Sequence, residues 1–340
     1  MNISDIVIGY EEFKSQYLAT ANGSYSAIDF WNTYNENPRD LINNRQYLFL
    51  RDRLFGLLRA CERIDATAFT KIPKGHPYYF IGIASYLLAD YQTAIYFFDA
   101  AVTEDLKSGA DPIKNPTPAT RFLMLDGESD KQAAKKLIQY AQTKVERALK
   151  YYVNDITKDA SIRSLTVDDL RNDFIYFALT SSDRPGLRTL VTAFITFCIE
   201  WDFRNEHFDY GVGKGTVEPF FLHLFRGCVL FESLLKLNPH QQPVGNSLIP
   251  KINSLRSLLK TDHIQGKDFV LSDVFNEMQK YHKSISEAVK ITAIARNTIG
   301  HDLGWNLNIT QDQYRELYLI IAASCLHAIA CLWKPSNSES

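Results

Sequence analysis

The chain has 340 residues, enough for two domains, and its 46% hydrophobic and 13% aromatic content excludes a disordered polymer. A formal net charge of −2 excludes a general nucleic-acid binder, whose surface would be strongly basic, so any polyanion must be met by a local patch. Five cysteines, Cys61, Cys198, Cys228, Cys325 and Cys331, lie in apolar stretches with no CxxC pair. The odd number argues against a disulfide framework and for reduced thiols in the cytoplasm.

In chain order, Met1 to Asp5 lacks the basic start and apolar run of a signal peptide. A helix and a polar stretch, Ser26 to Asp40, lead into a helix over Leu41 to Ile64, with Tyr47, Leu50, Leu54, Leu57 and Leu58 on one face. Tyr78 to Val102 resembles a tetratricopeptide hairpin. Gly82, Ala94 and Ala101 are small enough for two helices to approach, and Asp90-Tyr91 marks the turn. No second copy follows at the period of such repeats; Pro112, Pro116 and Pro118 stand there instead.

The stretch 108–131 reads as a linker, rich in Gly and Pro. A helix over Lys131 to Val153 follows, striped by Ala134, Leu137, Ile138, Ala141, Val145 and Leu149, and Thr166 to Asp169 reads as a helix start. The break Thr180 to Gly186 is taken as the domain boundary. The expected organisation is all-α: a helical region over 1–183, a helical bundle over 184–335 and a disordered tail over 336–340.

Within the bundle, helices are expected over Leu187 to Phe203, Pro219 to Leu237, Ser272 to Gly300 and Leu317 to Trp333. The last is apolar but shorter than the ~20 residues of a membrane span, so a core helix is expected and no membrane. Asp209 to Thr216 carries Gly211, Gly213, Lys214 and Gly215, but their spacing fits no phosphate-loop pattern. Cys325 and His327 stand two apart on one helix, which is wrong for a zinc site. Arg204-Asn205-Glu206-His207 reads as a helix end.

Two charges stand where apolar residues are expected. Ile285, Ala288, Val289, Ile291, Thr292, Ala295 and Ile299 form one arc, and Arg296 falls on it. A guanidinium stays charged and needs an anion there. In the preceding core helix Glu232 falls between the directions of Phe221 and Phe225, with Lys236 one turn on. Glu232 and Arg296 are therefore expected to meet. Gly300 is expected to stop the helix as a left-handed cap, letting His301 turn back toward Arg296. Lys251, Arg256, Lys260, Lys267, Lys280, Lys283 and Lys290 cluster ahead of the motif, as a solvated face or an RNA contact.

Arg296, Asn297 and His301 resemble the signature of the HEPN family (higher eukaryotes and prokaryotes nucleotide-binding): Arg, four to six residues, then His, often with Asn after the Arg. Glu232 and Lys236 resemble the Glu and Lys of that family's core helix. The resemblance covers about the last 150 residues, the size of a four-helix bundle. It implies a metal-independent endoribonuclease without cofactor, leaving 2′,3′-cyclic phosphate ends and acting as a toxin or anti-phage effector. His301 would be general base or acid, Arg296 would hold the scissile phosphate, Asn297 would position either, and Glu232 would orient Arg296. It implies RNA as partner and a homodimer through the bundle, with a protein partner at the N-terminal region. The alternatives are a non-catalytic interaction module or a nucleotide-binding module with a structural Arg–Glu pair.

Overall fold

The computed structural model describes residues 3–35, 37–111, 114–127, 132–156, 163–181, 184, 186–208, 218–266, 268–301 and 309–333. Among them the regular elements are helices and none is a strand, so the fold is all-α. The chain divides into two compact units, Met1–Phe122 and Leu123–Ser340. The division falls inside the Gly/Pro stretch read as a linker, not at 183/184. The reason is packing: the stripe of the helix beginning at Gln132 is buried against helices of the second unit, so that helix is one of its walls. The glycine-rich stretch 209–216 and the tail 336–340 lie outside the described residues.

In the first unit, α1 (Ile3–Ala21), α2 (Ala27–Tyr34), α3 (Pro38–Asn43), α4 (Tyr47–Ile64) and α5 (Ala66–Lys71) lead to α6 (Gly75–Leu87) and α7 (Tyr91–Lys107). The single helix expected over Leu41 to Ile64 is broken, because Arg45 takes a left-handed φ of 59° between α3 and α4. The α6–α7 hairpin forms as its small residues demand. A Cβ at Gly82 would sit 2.7 Å from the Phe98 ring. Ala89 turns the chain at φ 59°, and Asp90 caps α7 by accepting from the Thr93 amide (3.3 Å). Lys74, 5% exposed, is held by Glu104 and by the carbonyls of Phe69 and Ile72.

After α8 (Pro118–Leu123), which spans the division, the second unit contains α9 (Gln132–Tyr151), α10 (Val167–Asp169), α11 (Tyr176–Thr180), α12 (Gly186–Glu206) and α13 (Glu218–Lys236). It continues with α14 (Leu248–Ser254), α15 (Arg256–Leu259), α16 (Leu271–Gln279), α17 (Ile285–His301) and α18 (Gln311–Leu332). Thr166 caps α10 in a reciprocal capping box with Asp169. The core packs α12, α13 and α17 against α18, with α9 on α12 and α18. Asp202 of α12 pairs with Lys144 and Arg147 of α9. Thr292 and Ser324 share a hydrogen bond (2.9 Å) between α17 and α18.

One long helix was expected to begin at Ser272, but the chain breaks between α16 and α17. Lys283 takes a φ of 62° and Ser284 accepts from the Glu287 amide (3.2 Å) while Glu287 accepts from the Ser284 amide (3.4 Å). This reciprocal cap was readable as Ser-x-x-Glu. α18 has 22 residues, longer than expected, because Thr310 and Gln313 start it with another capping box. Among the described residues it alone is long and apolar enough to cross a membrane, and 78% of its apolar window is buried inside the fold.

Two histidines lie wholly inside this unit. His223 Nε2 donates to the Phe197 carbonyl (2.9 Å) and Nδ1 accepts from the Tyr314 hydroxyl (2.8 Å). His327 Nε2 donates to the Leu259 carbonyl (2.6 Å) and Nδ1 faces the Tyr152 hydroxyl (3.1 Å). Burial lowers their pKa values to about 3 and about 4, so both are neutral where they stand.

Two expectations follow from this packing. A Cβ at Gly227 of α13 would lie 2.5 Å from the Phe197 ring and 2.7 Å from Ile321. Gly227→Ala should therefore cost about 1–3 kcal/mol in urea unfolding through overpacking. The unfolded chain binds protons at His223 and His327 near an ordinary histidine value of about 6.5, and the folded chain does not. Stability should be level above pH 7 and fall as pH drops from about 6.5 toward 4. His327→Gln should flatten that slope by about one proton in pH-dependent denaturation.

Candidate functional site

The site is built outward from one carboxylate. Glu232 sits in the last turns of α13, 7% exposed among Phe231, Leu234 and Leu235. Oε2 accepts from Arg296 Nε of α17 at 3.0 Å. Oε1 accepts from Lys251 Nζ of α14 at 3.0 Å and meets Lys236 Nζ, one turn on in α13, at 3.2 Å. Burial by itself pushes this carboxyl up. Hydrogen bonds from Lys251 and Lys236 and the charge of Arg296 outweigh it, and hold the group below the usual carboxylate range.

The predicted meeting of Glu232 and Arg296 is therefore present, with a partner that the sequence reading misplaced. Lys251 was grouped with solvent-facing cations, yet it is 4% exposed and also donates to the Asn246 carbonyl (3.0 Å). Its neighbours Leu248, Ile249 and Ile252 are buried with it, and that apolar setting was the signal available in the sequence. Lys283 pairs with Asp155 (2.7 Å), Lys290 pairs with Glu277 (2.6 Å), and Lys267 lies outside the described residues.

Arg296 is not swallowed by the arc. Its side chain is 27% exposed, at the arc's edge, and its guanidinium lies 5.1 Å over the ring of half-buried Phe225. Glu232 takes Nε, and no acceptor among the described residues takes the Nη pair. Three cations meet one carboxylate, so the cluster keeps an excess of positive charge beside solvent. Asn297 follows at the same partly exposed edge.

Gly300 does not cap the helix. α17 continues through it to His301, and Gly300 is not left-handed. A Cβ there would lie 2.8 Å from Phe225 Cε2 and 3.0 Å from Arg296 Nη1. The glycine is needed for clearance, so that ring and guanidinium can close on the helix backbone. The turn expected to bring His301 back toward Arg296 is absent at this point. Five residues of helix carry position 301 about 140° around the axis from position 296. The His301 side chain lies outside the described residues.

The shorter echo at Arg204 is a helix end, as expected. Arg204 binds Glu200 (3.2 Å) and the Pro219 carbonyl (3.2 Å). Among the described residues no group of three His, Cys, Asp or Glu could hold a metal ion. No family model, curated protein or solved structure matches this chain.

The geometry separates what Glu232 does for the fold from what Arg296 does. Removing the carboxylate strands buried Lys251, whereas removing Arg296 leaves Glu232 two cations. Glu232→Ala should lose about 3–5 kcal/mol of stability. Arg296→Ala should lose under about 1 kcal/mol, as expected for a partly exposed pair. Parallel urea melts measure both, and equal losses would make Arg296 a structural residue.

Proposed function

We propose that the second unit is a HEPN-type endoribonuclease, its bundle formed by α12, α13, α17 and α18, that cleaves RNA without a metal ion. The observation that carries this reading is an arginine oriented by a buried carboxylate that does not depend on it for neutralisation. Arg296 is aimed through Nε, while its Nη groups stand at the solvent edge with excess positive charge around them. That arrangement suits a phosphodiester and the charge that grows on its oxygens in the transition state.

In this mechanism the ribose 2′-oxygen bonds to the adjacent phosphorus as its proton passes to a base. The bond from phosphorus to the 5′-oxygen breaks, and that oxygen takes a proton as the strand leaves. The products end in 2′,3′-cyclic phosphate and 5′-hydroxyl. His301 serves one of the two proton transfers, Asn297 positions phosphate or imidazole, and Glu232 with Lys236 keeps Arg296 in place. Positions 296 and 301 do not stack on one face of α17, so the reading requires a homodimer that assembles the groups across a shared cleft. The cell role proposed is that of a toxin or anti-phage effector, with the first unit binding a protein partner. Free thiols at all five cysteines support the cytoplasm as the working compartment.

One observation favours the second reading, a non-catalytic nucleotide-binding or interaction module: positions 296 and 301 lie about 140° apart around the axis of α17. That reading expects thermal stabilisation by a nucleotide with no turnover.

The deciding experiment incubates labelled mixed-sequence RNA with the wild type and His301→Ala in EDTA. Cyclic-phosphate products from the wild type, reduced about 10²–10⁴-fold in His301→Ala, are expected. Equal cleavage by both proteins removes His301 from the mechanism, and no cleavage by the wild type favours the binding module.

A further inference from the structure

We infer that the outer face of α4 binds a second copy of this chain, the two helices crossing antiparallel at Gly56. The surface lies wholly in the first unit, so it stands or falls apart from the ribonuclease reading of the second.

Helix α4 is covered on one side only. Leu50, Leu54, Leu58 and Cys61 are buried on the inner side, against α6 above all. The opposite face, about 120° of arc, carries Leu48 (53% exposed), Phe49 (52% exposed), Asp52, Phe55, Gly56 and Arg59. Its apolar surface continues onto α7. The Phe55 ring meets Phe97 edge-on, 5.3 Å between centroids, and Phe97 in turn meets Tyr96 (5.1 Å), which is 67% exposed.

Nothing within the chain accounts for Gly56. It stands in the middle of a helix, where glycine is destabilising relative to any ordinary helix former. Its φ is not left-handed, and a Cβ on it would meet nothing within 4 Å. Gly82 and Gly227 differ, because each leaves room for a phenylalanine ring of the same chain. Bare, exposed backbone between large apolar side chains is what a second helix needs in order to pack closely.

The charges identify that helix. The N-terminal half of the face carries an acid, Asp52, whose side chain is 66% exposed and makes only a long ion pair with Arg51 (3.9 Å). The C-terminal half carries Arg59 and Arg63, both exposed and without a carboxylate partner among the described residues. Glu62, the acid of that half, sits at the edge toward Tyr78.

A helix rises about 1.5 Å per residue. In an antiparallel pair centred on Gly56, Asp52 therefore stands about 6 Å from the crossing, and Arg59 of the second copy about 4.5 Å out on the same side. Phe49 and Arg63 of the second copy share a height about 10.5 Å from the crossing, where a guanidinium can lie on the ring. Each contact occurs twice about a two-fold axis, which is the self-complementarity an isologous dimer requires. A parallel pair in register would set Asp52 on Asp52 and Arg59 on Arg59.

Sedimentation equilibrium of the full chain over about a hundredfold range of concentration tests the interface. Asp52→Arg and Arg59→Asp should each weaken self-association at least about tenfold, and the double variant should restore it, since the facing charges are again opposite. Gly56→Gln should weaken association by a similar factor while raising the thermal midpoint, because glutamine is the better helix former. Thermal melts matching wild type confirm that the charge variants are folded.

A wild type whose association is indifferent to all of these changes would overturn the interface, as would one that stays monomeric. Loss in both single variants without rescue in the double would overturn the antiparallel pairing with a second copy. A dimer through the second unit doubles every mass in the series and leaves the ratios between variants unchanged, so the two dimer contacts fail separately.

Discussion

The second unit depends on satisfying one buried carboxylate. Glu232 ties α13 to α14 through Lys251 and to α17 through Arg296, and takes Lys236 from its own helix. A buried ion pair of this sort adds little net stability over an apolar one, since desolvation offsets most of the attraction. It does exclude alternative registers: α14 and α17 cannot slide on α13 without exposing a cation to an apolar surface. The same rigidity fixes the position of Arg296. Arg296 is held by a group already anchored on its other side, so its guanidinium can face solvent with few rotamers to lose.

Close helix approach makes that network possible. Gly227 admits Phe197 and Ile321 against α13, and Gly300 admits Phe225 and Arg296 against α17. Polar groups within the packed region are matched locally. His223 and His327 each reach a backbone carbonyl through one nitrogen and face a tyrosine hydroxyl with the other. Their depressed pKa values follow from burial and describe structural imidazoles. The distinction is physical: an imidazole desolvated to a pKa of about 3 or 4 is a poor base at neutral pH.

The proposed function and the fold meet at the outer edge of α13 and α17. Buried groups there fix their neighbours in place, and partly exposed ones reach solvent. Glu232 and Lys251 belong to the first kind, Arg296, Phe225 and Asn297 to the second. The proposed ribonuclease draws on this division, because a phosphate needs a fixed cation.

Apolar periodicity by itself determined that the chain is helical, and charge on an apolar arc determined that Glu232 and Arg296 must meet. Both conclusions are local: helix geometry converts spacing into direction, and a buried charge has few acceptable partners. The α6–α7 hairpin was legible for the same reason, since Gly82 and the Asp90 cap act within a few residues of the turn. Tertiary structure alone decided the rest. Lys251 is buried because α14 folds onto α13, whereas the sequence-local view placed it in a cation cluster read as a solvated face or an RNA contact. Gly300 looked like a cap until the neighbour it must clear, Phe225 on another helix, was in place. The unit boundary lies at Phe122/Leu123 because α9 finds its partners in α12 and α18, a choice made by contacts distant in the chain. Each of these depends on which surfaces pack together, and one-dimensional spacing carries no information about that choice.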